Sequence, residues 1–115
     1  MKSLIFVGVI FLSIAYQKCA MPPALTIPAC ILEKIEQIKK QPRWNPPATV
    51  EEYEYNGKRV FLFSADCCDK YIEAFDENCN YLCAPGGGFS GKGDGKCADF
   101  KEKARWVKLV WKDER

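Results

Sequence analysis

Six cysteines between positions 30 and 97 are the residues whose type and spacing offer the clearest chemistry. They are Cys30, Cys67, Cys68, Cys79, Cys83 and Cys97. Thiolates bind zinc, and the spacing between Cys79 and Cys83 is tolerable for that metal. An even number of cysteines in a small exported chain is instead typical of disulfides. We therefore predict three disulfides and no metal, and the sequence leaves the pairing open.

The adjacent Cys67 and Cys68 bear on that pairing. Neighbouring side chains on an extended backbone point to opposite faces, so the two would not usually serve one site. We predict that each of them bridges to a different cysteine. The two bridges would then fasten other elements to both faces of a sheet.

Histidine is absent from the 115 residues, which removes the commonest general base and the commonest metal ligand. Serine and cysteine mechanisms that depend on histidine are removed with it. Among the carboxylates, Asp66 and Asp69 flank the cysteine pair, and Asp94 lies further along the chain. Paired carboxylates can supply acid–base catalysis, so a small hydrolase or lyase that uses these three residues is one hypothesis. Because so short a chain rarely builds a cleft, we favour a non-enzymatic protein without a cofactor.

The glycine-rich residues 86–95 suggest a binding function. Gly86, Gly91 and Lys92 match the start of a phosphate-binding loop, but Gly93 stands where serine or threonine should hold magnesium. We interpret the stretch as a loop that crosses the sheet and is held by Cys97. Such a loop suits contact with another macromolecule, and protease inhibition is a variant of that hypothesis. The predicted interaction surface comprises Tyr53, Tyr55, Gly86, Gly87, Gly88, Phe89, Lys92 and Asp94.

The charge balance argues against nucleic acid as the partner. The chain has 17 Lys and Arg against 15 Asp and Glu, and two of the cations, Lys2 and Lys18, belong to the leader described next. The remainder is neutral, whereas nucleic-acid binding needs a strongly basic face. The predicted partner is an unidentified protein or envelope component, and we expect the protein to be a monomer.

The first residues are typical of an export signal. Lys2 precedes an apolar run over residues 4–15, which is shorter than the ~20 residues of a membrane-spanning helix. We predict a signal peptide over residues 1–19, a proline-rich tether over 20–29 and one globular domain over 30–115. Cleavage after Ala15 and lipidation of Cys19 are the two alternatives. The domain is extracytoplasmic in both, either secreted or attached to a membrane of the cell envelope through lipid on Cys19.

The remaining pattern predicts an α+β fold, with one N-terminal helix packed on an antiparallel sheet of four or five strands. The helix is indicated between Pro28 and Pro42 by apolar residues at helical spacing, namely Ile31, Leu32, Ile35 and Ile38.

Strands are predicted around Tyr53 and Tyr55 and over residues 60–63, 71–75, 81–83 and 106–112. Asn56 and Gly57 indicate a tight hairpin between the first two strands. A helix is the alternative for residues 100–105. Tyr53 and Tyr55 would be core residues, or a binding patch if they lie on the outer face.

Several motifs together resemble a known family: residues 28–30 with the following helix, residues 44–48, residues 53–58, residues 67–69 and residues 83–95. Over residues 27–112 the chain is similar to an uncharacterised family of small exported bacterial domains, typical of the Bacteroidota, many of them predicted lipoproteins. That family has no established activity, so the resemblance assigns no functional residue. It implies a glycine at the end of the turn over residues 76–79, where this chain has Cys79.

Overall fold

Helix α1 (Ala29–Lys39) is the first element of the computed structural model, which describes residues 26–115. The carbonyl of Pro28 accepts hydrogen bonds from the amides of Ile31 and Leu32, which starts the helix. Ile31, Ile35 and Ile38 are buried at the predicted spacing, whereas Leu32 lies at the margin of that face and is 46% exposed. The predicted signal peptide, Cys19 and most of the tether lie outside the described residues. Within residues 26–115, no helix is long and apolar enough to cross a membrane.

Five antiparallel strands form one sheet in the order β4-β3-β2-β1-β5. Their bounds are β1 Thr49–Tyr55, β2 Lys58–Phe63, β3 Tyr71–Phe75, β4 Tyr81–Gly87 and β5 Arg105–Lys112. The α+β architecture predicted from the sequence is confirmed, including the final strand. The hairpin between β1 and β2 turns at Asn56 and Gly57, which have φ values of 52° and 75°. Both residues tolerate positive φ, which explains why this dipeptide sets the register of the hairpin.

Each face of the sheet has its own hydrophobic cluster. Helix α1 covers one face, where its three isoleucines pack on Val50, Phe61, Phe63 and Phe75. The opposite face is covered by the segment that leaves β4 at one edge of the sheet and returns as β5 at the other edge. Phe100, in the short helix α2 (Phe100–Lys103), anchors this cover on Val60, Ala74 and Cys83. The second layer consists mostly of loop, and it displays the glycine-rich stretch.

Asp113 and Arg115 hold the C-terminal end of α1 in place. Asp113 is buried, and its carboxylate accepts hydrogen bonds from the Arg115 guanidinium, which hold the Asp113 pKa at about 2. The same guanidinium donates to the carbonyl oxygens of Lys39 and Gln41, at 2.8 and 3.0 Å. Because the last carbonyls of a helix have no partners within it, a cation that donates to them stabilises this end.

All six predicted cysteines are in disulfides: Cys30 with Cys79, Cys83 with Cys97, and Cys67 with Cys68. The prediction that Cys67 and Cys68 reach two different partners is wrong. It assumed an extended backbone, but both residues lie in the connection between β2 and β3, where Cys68 has a φ of 41°. Two bridges therefore join distant parts of the fold, and the third closes a ring between neighbours on an exposed loop.

Candidate functional site

The glycine-rich stretch begins as a strand rather than as a loop. Gly86 and Gly87 are paired with Ile72 and Tyr71 of β3, so the prediction that all of residues 86–95 form a loop is wrong at its start. The loop proper covers residues 88–95. Glycine is a weak strand signal because it lacks a side chain to pack, and only the pairing with β3 defines these two residues as part of β4.

The loop is fastened at its base by a buried disulfide. Cys83 lies in β4 and Cys97 follows the loop, and their Cα atoms are 5.9 Å apart. Both cysteines belong to the second hydrophobic cluster, on the face that α2 covers. The two ends of the loop are therefore fixed to the core of the protein and to each other.

Backbone hydrogen bonds fold the loop back on its own strand. The Gly93 amide donates to the Gly87 carbonyl and the Asp94 amide to the Ala84 carbonyl, both at 3.0 Å. Gly93 has a φ of 76°, and a Cβ at this position would lie 1.9 Å from the Ala84 carbonyl oxygen. Only glycine fits there, so this contact defines the path of the loop along β4.

A hydrogen bond between side chains adds a second anchor. The Tyr81 hydroxyl donates to the Asp94 carboxylate at 2.5 Å. This bond raises the pKa of Tyr81 to about 12 and lowers the pKa of Asp94 below its usual value. The stabilisation from the raised Tyr81 pKa is complete below pH 10 and is lost as the pH rises through about 12. The stabilisation from the lowered Asp94 pKa is present above its unfolded value and is lost in stronger acid. The anchor is therefore intact at neutral pH.

The tip of the loop presents one large apolar side chain to solvent. The Gly91 amide donates to the Gly88 carbonyl at 3.2 Å, which closes a turn with Phe89 and Ser90 at its centre. Phe89 is 96% exposed. The Tyr71 ring lies against Gly88, where a Cβ would come within 2.4 Å of it, and Lys92 on the returning side is exposed. We call Tyr71, Gly88, Phe89, Ser90 and Lys92 the Phe89 surface.

Tyr53 and Tyr55 lie away from the Phe89 surface. Each ring packs on Phe100 with centroids 5.2 Å apart, and both belong to the margin of the second cluster. The Tyr53 hydroxyl donates to Glu51 at 3.1 Å, and the Tyr55 hydroxyl donates to Asp99. Their position agrees with a core role, and the structure does not join them to the glycine-rich loop.

The three carboxylates of the hydrolase hypothesis do not share one cleft. Asp66 is paired with Lys70 at 2.8 Å and lines a cleft beside α1. Asp69 is exposed and does not line that cleft, and Asp94 is engaged by Tyr81. This set of residues is therefore not arranged for joint acid–base chemistry. Within residues 26–115, no group of three or more cysteine, aspartate or glutamate side chains could hold a metal ion.

The cleft beside α1 has no counterpart among the sites predicted from the sequence. Its volume is about 360 Å³, and it lies between the C-terminal half of α1, the Trp44 segment and β3. The lining residues are spread over positions 34–75, and none of them follows a motif with a known spacing. Only the packing of α1 on the sheet brings them together, so no local signal in the sequence indicates the cleft.

Comparisons with known proteins place the chain in a family but give no activity. Neither the curated proteins nor the solved structures contain a match to it. The profile of one family, described as "Domain of unknown function (DUF6970)", matches residues 36–113. This range includes the whole sheet, the glycine-rich loop, and two of the residues of α1 that line the cleft, Gln37 and Ile38. The chain therefore belongs to the DUF6970 family of domains of unknown function.

Proposed function

We propose that the protein is a non-enzymatic, extracytoplasmic binding module that contacts a macromolecular partner through the Phe89 surface. The exposure of Phe89 is the observation that carries the proposal. A phenylalanine that is 96% exposed gains nothing for the stability of its own fold. Burying such a side chain in a partner gives about 1.5–3 kcal/mol, which is roughly a 10- to 100-fold gain in affinity.

The anchoring of the loop also supports a binding role. A flexible loop loses conformational entropy when a partner orders it, and a loop that is already ordered avoids that cost. Here the Cys83–Cys97 disulfide, the Gly93 contact and the Tyr81–Asp94 hydrogen bond fix the backbone on both sides of Phe89.

The backbone around Phe89 favours partner binding over protease inhibition. A segment that imitates a protease substrate needs extended backbone next to the side chain that enters the enzyme. Gly88 has a φ of 74° and Gly91 a φ of 73°, so the chain turns on both sides of Phe89. The loop has the shape of a turn that inserts one side chain into a partner's pocket.

Disulfides support the extracytoplasmic location. Cys30–Cys79 and Cys83–Cys97 both join elements that are distant in the fold, and such bridges persist in oxidising compartments.

The experiment compares three immobilised proteins: the wild type, Phe89→Ser and Leu32→Ser. Leu32 is a matched control because it is an exposed apolar residue on α1, away from the loop. Extracts of the producing cells are passed over each protein, and the retained proteins are quantified by mass spectrometry. We expect a set of proteins that the wild type and Leu32→Ser retain equally and that Phe89→Ser retains about tenfold less. Equal retention by all three would contradict the proposal.

A further inference from the structure

We infer that the cleft beside α1 is a second binding site, which takes a neutral saccharide unit. Its volume of about 360 Å³ falls within the ~300–1,000 Å³ of small-molecule sites. The cleft opens between α1, Trp44 and β3. Of the Phe89 surface only Tyr71 lines it, and Phe89 itself does not. The inference therefore goes beyond the proposed function of the loop.

Aromatic rings supply the apolar part of the cleft. Phe63 and Phe75 pack edge to face with centroids 5.5 Å apart, and both line the cleft. Trp44 and Tyr71 line it from the helix side and the β3 side, and the Tyr71 ring is half-exposed. Trp44 and Tyr71 are only partly buried, so their rings offer faces on which the C–H groups of a sugar ring can pack, whereas Phe63 and Phe75 belong to the buried core cluster.

The charges in the cleft cancel, which favours a neutral ligand. Two cations, Lys34 and Lys70, line it together with two carboxylates, Asp66 and Glu73. Lys34 Nζ lies 4.0 Å from the centre of the Phe75 ring, so this cation is held at the aromatic wall. A ligand with net charge would meet both opposite and like charges in the cleft and would gain little from them.

The polar groups also match hydroxyl groups, which both donate and accept. Gln37 and Gln41 contribute amides with both capacities, whereas the lysines only donate and the carboxylates only accept. The Asp66 carboxylate has one oxygen paired with Lys70, and its buried Oδ1 has no hydrogen-bond donor among the described residues. A buried acceptor without a donor is uncommon. A ligand hydroxyl is a donor of the kind that this oxygen lacks.

The walls of the cleft are fixed before any ligand arrives. Arg115 holds the carbonyls of Lys39 and Gln41 at the end of α1. The Trp44 indole donates to the Gln41 side chain at 3.0 Å, and the Thr49 amide donates to Ser64 Oγ at 2.8 Å. A site that needs no rearrangement retains more of its interaction energy as affinity.

The test is a titration of the full mature protein, followed by amide and indole NMR signals. The probes are the methyl glycosides of glucose, galactose, mannose and N-acetylglucosamine, with glycylglycine as a zwitterionic comparison. We expect at least one glycoside to give saturable shifts at the Trp44 indole and in β3, with a Kd in the range of about 0.1–10 mM. Glu73→Gln should weaken this binding at least about threefold, because a charged acceptor forms the stronger hydrogen bond.

Two further variants make the result specific. Trp44→Ala should abolish the shifts, and Trp106→Ala, which removes an exposed tryptophan on the edge strand β5, should leave the Kd unchanged. If Trp44→Ala does not fold, Glu73→Gln decides, because it keeps the size of the side chain. The inference is overturned if no glycoside gives saturable shifts at ~20 mM. It is equally overturned if Glu73→Gln binds as tightly as the wild type, or if glycylglycine binds and the glycosides do not.

Discussion

Replacing both Cys30 and Cys79 with serine is expected to lower the free energy of unfolding by about 4 kcal/mol, because this bridge joins residues 49 positions apart. Replacing both Cys83 and Cys97, 14 positions apart, should cost about 3 kcal/mol on the same basis. The third pair should behave differently. A bridge between neighbours closes only the shortest possible loop, so the double serine variant of Cys67 and Cys68 should lower the free energy of unfolding by no more than about 1 kcal/mol.

The measurement is urea-induced unfolding of the wild type and the three double variants under oxidising conditions, with the dependence of the free energy on urea concentration fitted separately for each protein. A control replaces Cys79 by glycine instead of serine in the Cys30→Ser background. Cys79 has a φ of 61°, so glycine at this position should restore about 1 kcal/mol. A loss of several kcal/mol in the Cys67 and Cys68 variant would contradict the pairing of these two neighbours.

Replacing Arg59 with methionine is expected to lower the free energy of unfolding by about 3–5 kcal/mol, because it leaves a buried carboxylate without its cation. Glu52 is only 2% exposed, on the face of the sheet that α1 covers. The Arg59 guanidinium donates to both of its carboxylate oxygens, at 2.9 and 3.3 Å, and also to the Thr26 carbonyl. Methionine retains much of the packing of the arginine side chain and removes the charge and the donors.

Two variants give this prediction its controls. The double variant Arg59→Met with Glu52→Leu should recover most of the lost stability, since an apolar pair often replaces a buried ion pair at little cost. Arg105→Ala breaks the exposed ion pair between Arg105 of β5 and Glu54, which lies near the end of β1, the strand that also contains Glu52. The free energy of unfolding of Arg105→Ala should fall by only about 0.2–1 kcal/mol. The interpretation fails if Arg59→Met and Arg105→Ala destabilise the protein equally in the urea titration.

The sequence predicts the elements of the fold well where a local rule defines them. The isoleucine spacing between Pro28 and Pro42 predicts α1, and the Asn56-Gly57 turn predicts the first hairpin because both residues accept positive φ. The glycine implied at position 79 by the family resemblance also has a physical reason. The backbone there has positive φ, and Cys79 occupies it while forming a disulfide with Cys30.

Predictions fail where tertiary contacts decide the local structure. The extended geometry assumed for Cys67 and Cys68 does not apply, because the chain leaves β2 at Phe63 and turns before β3 begins. Gly86 and Gly87 belong to β4 only because β3 pairs with them.

The candidate site likewise has features that the sequence indicates and features that depend on tertiary contacts. Composition identifies residues 86–95 as the stretch to examine, but the exposure of Phe89 at its tip depends on the path that Gly93 and Cys97 impose. The cleft residues Trp44, Asp66 and Glu73 come from three separate segments, and sequence spacing does not relate them.

A photo-crosslinking residue at position 89 tests the binding role of the loop most directly. The variant Phe89→p-benzoylphenylalanine is produced in the cells that normally make the protein, beside Lys101→p-benzoylphenylalanine as a control on the exposed surface of α2. After irradiation we expect a discrete adduct of higher mass from position 89 that position 101 does not form. No adduct at position 89, or the same adducts from both positions, would contradict a partner contact made through Phe89.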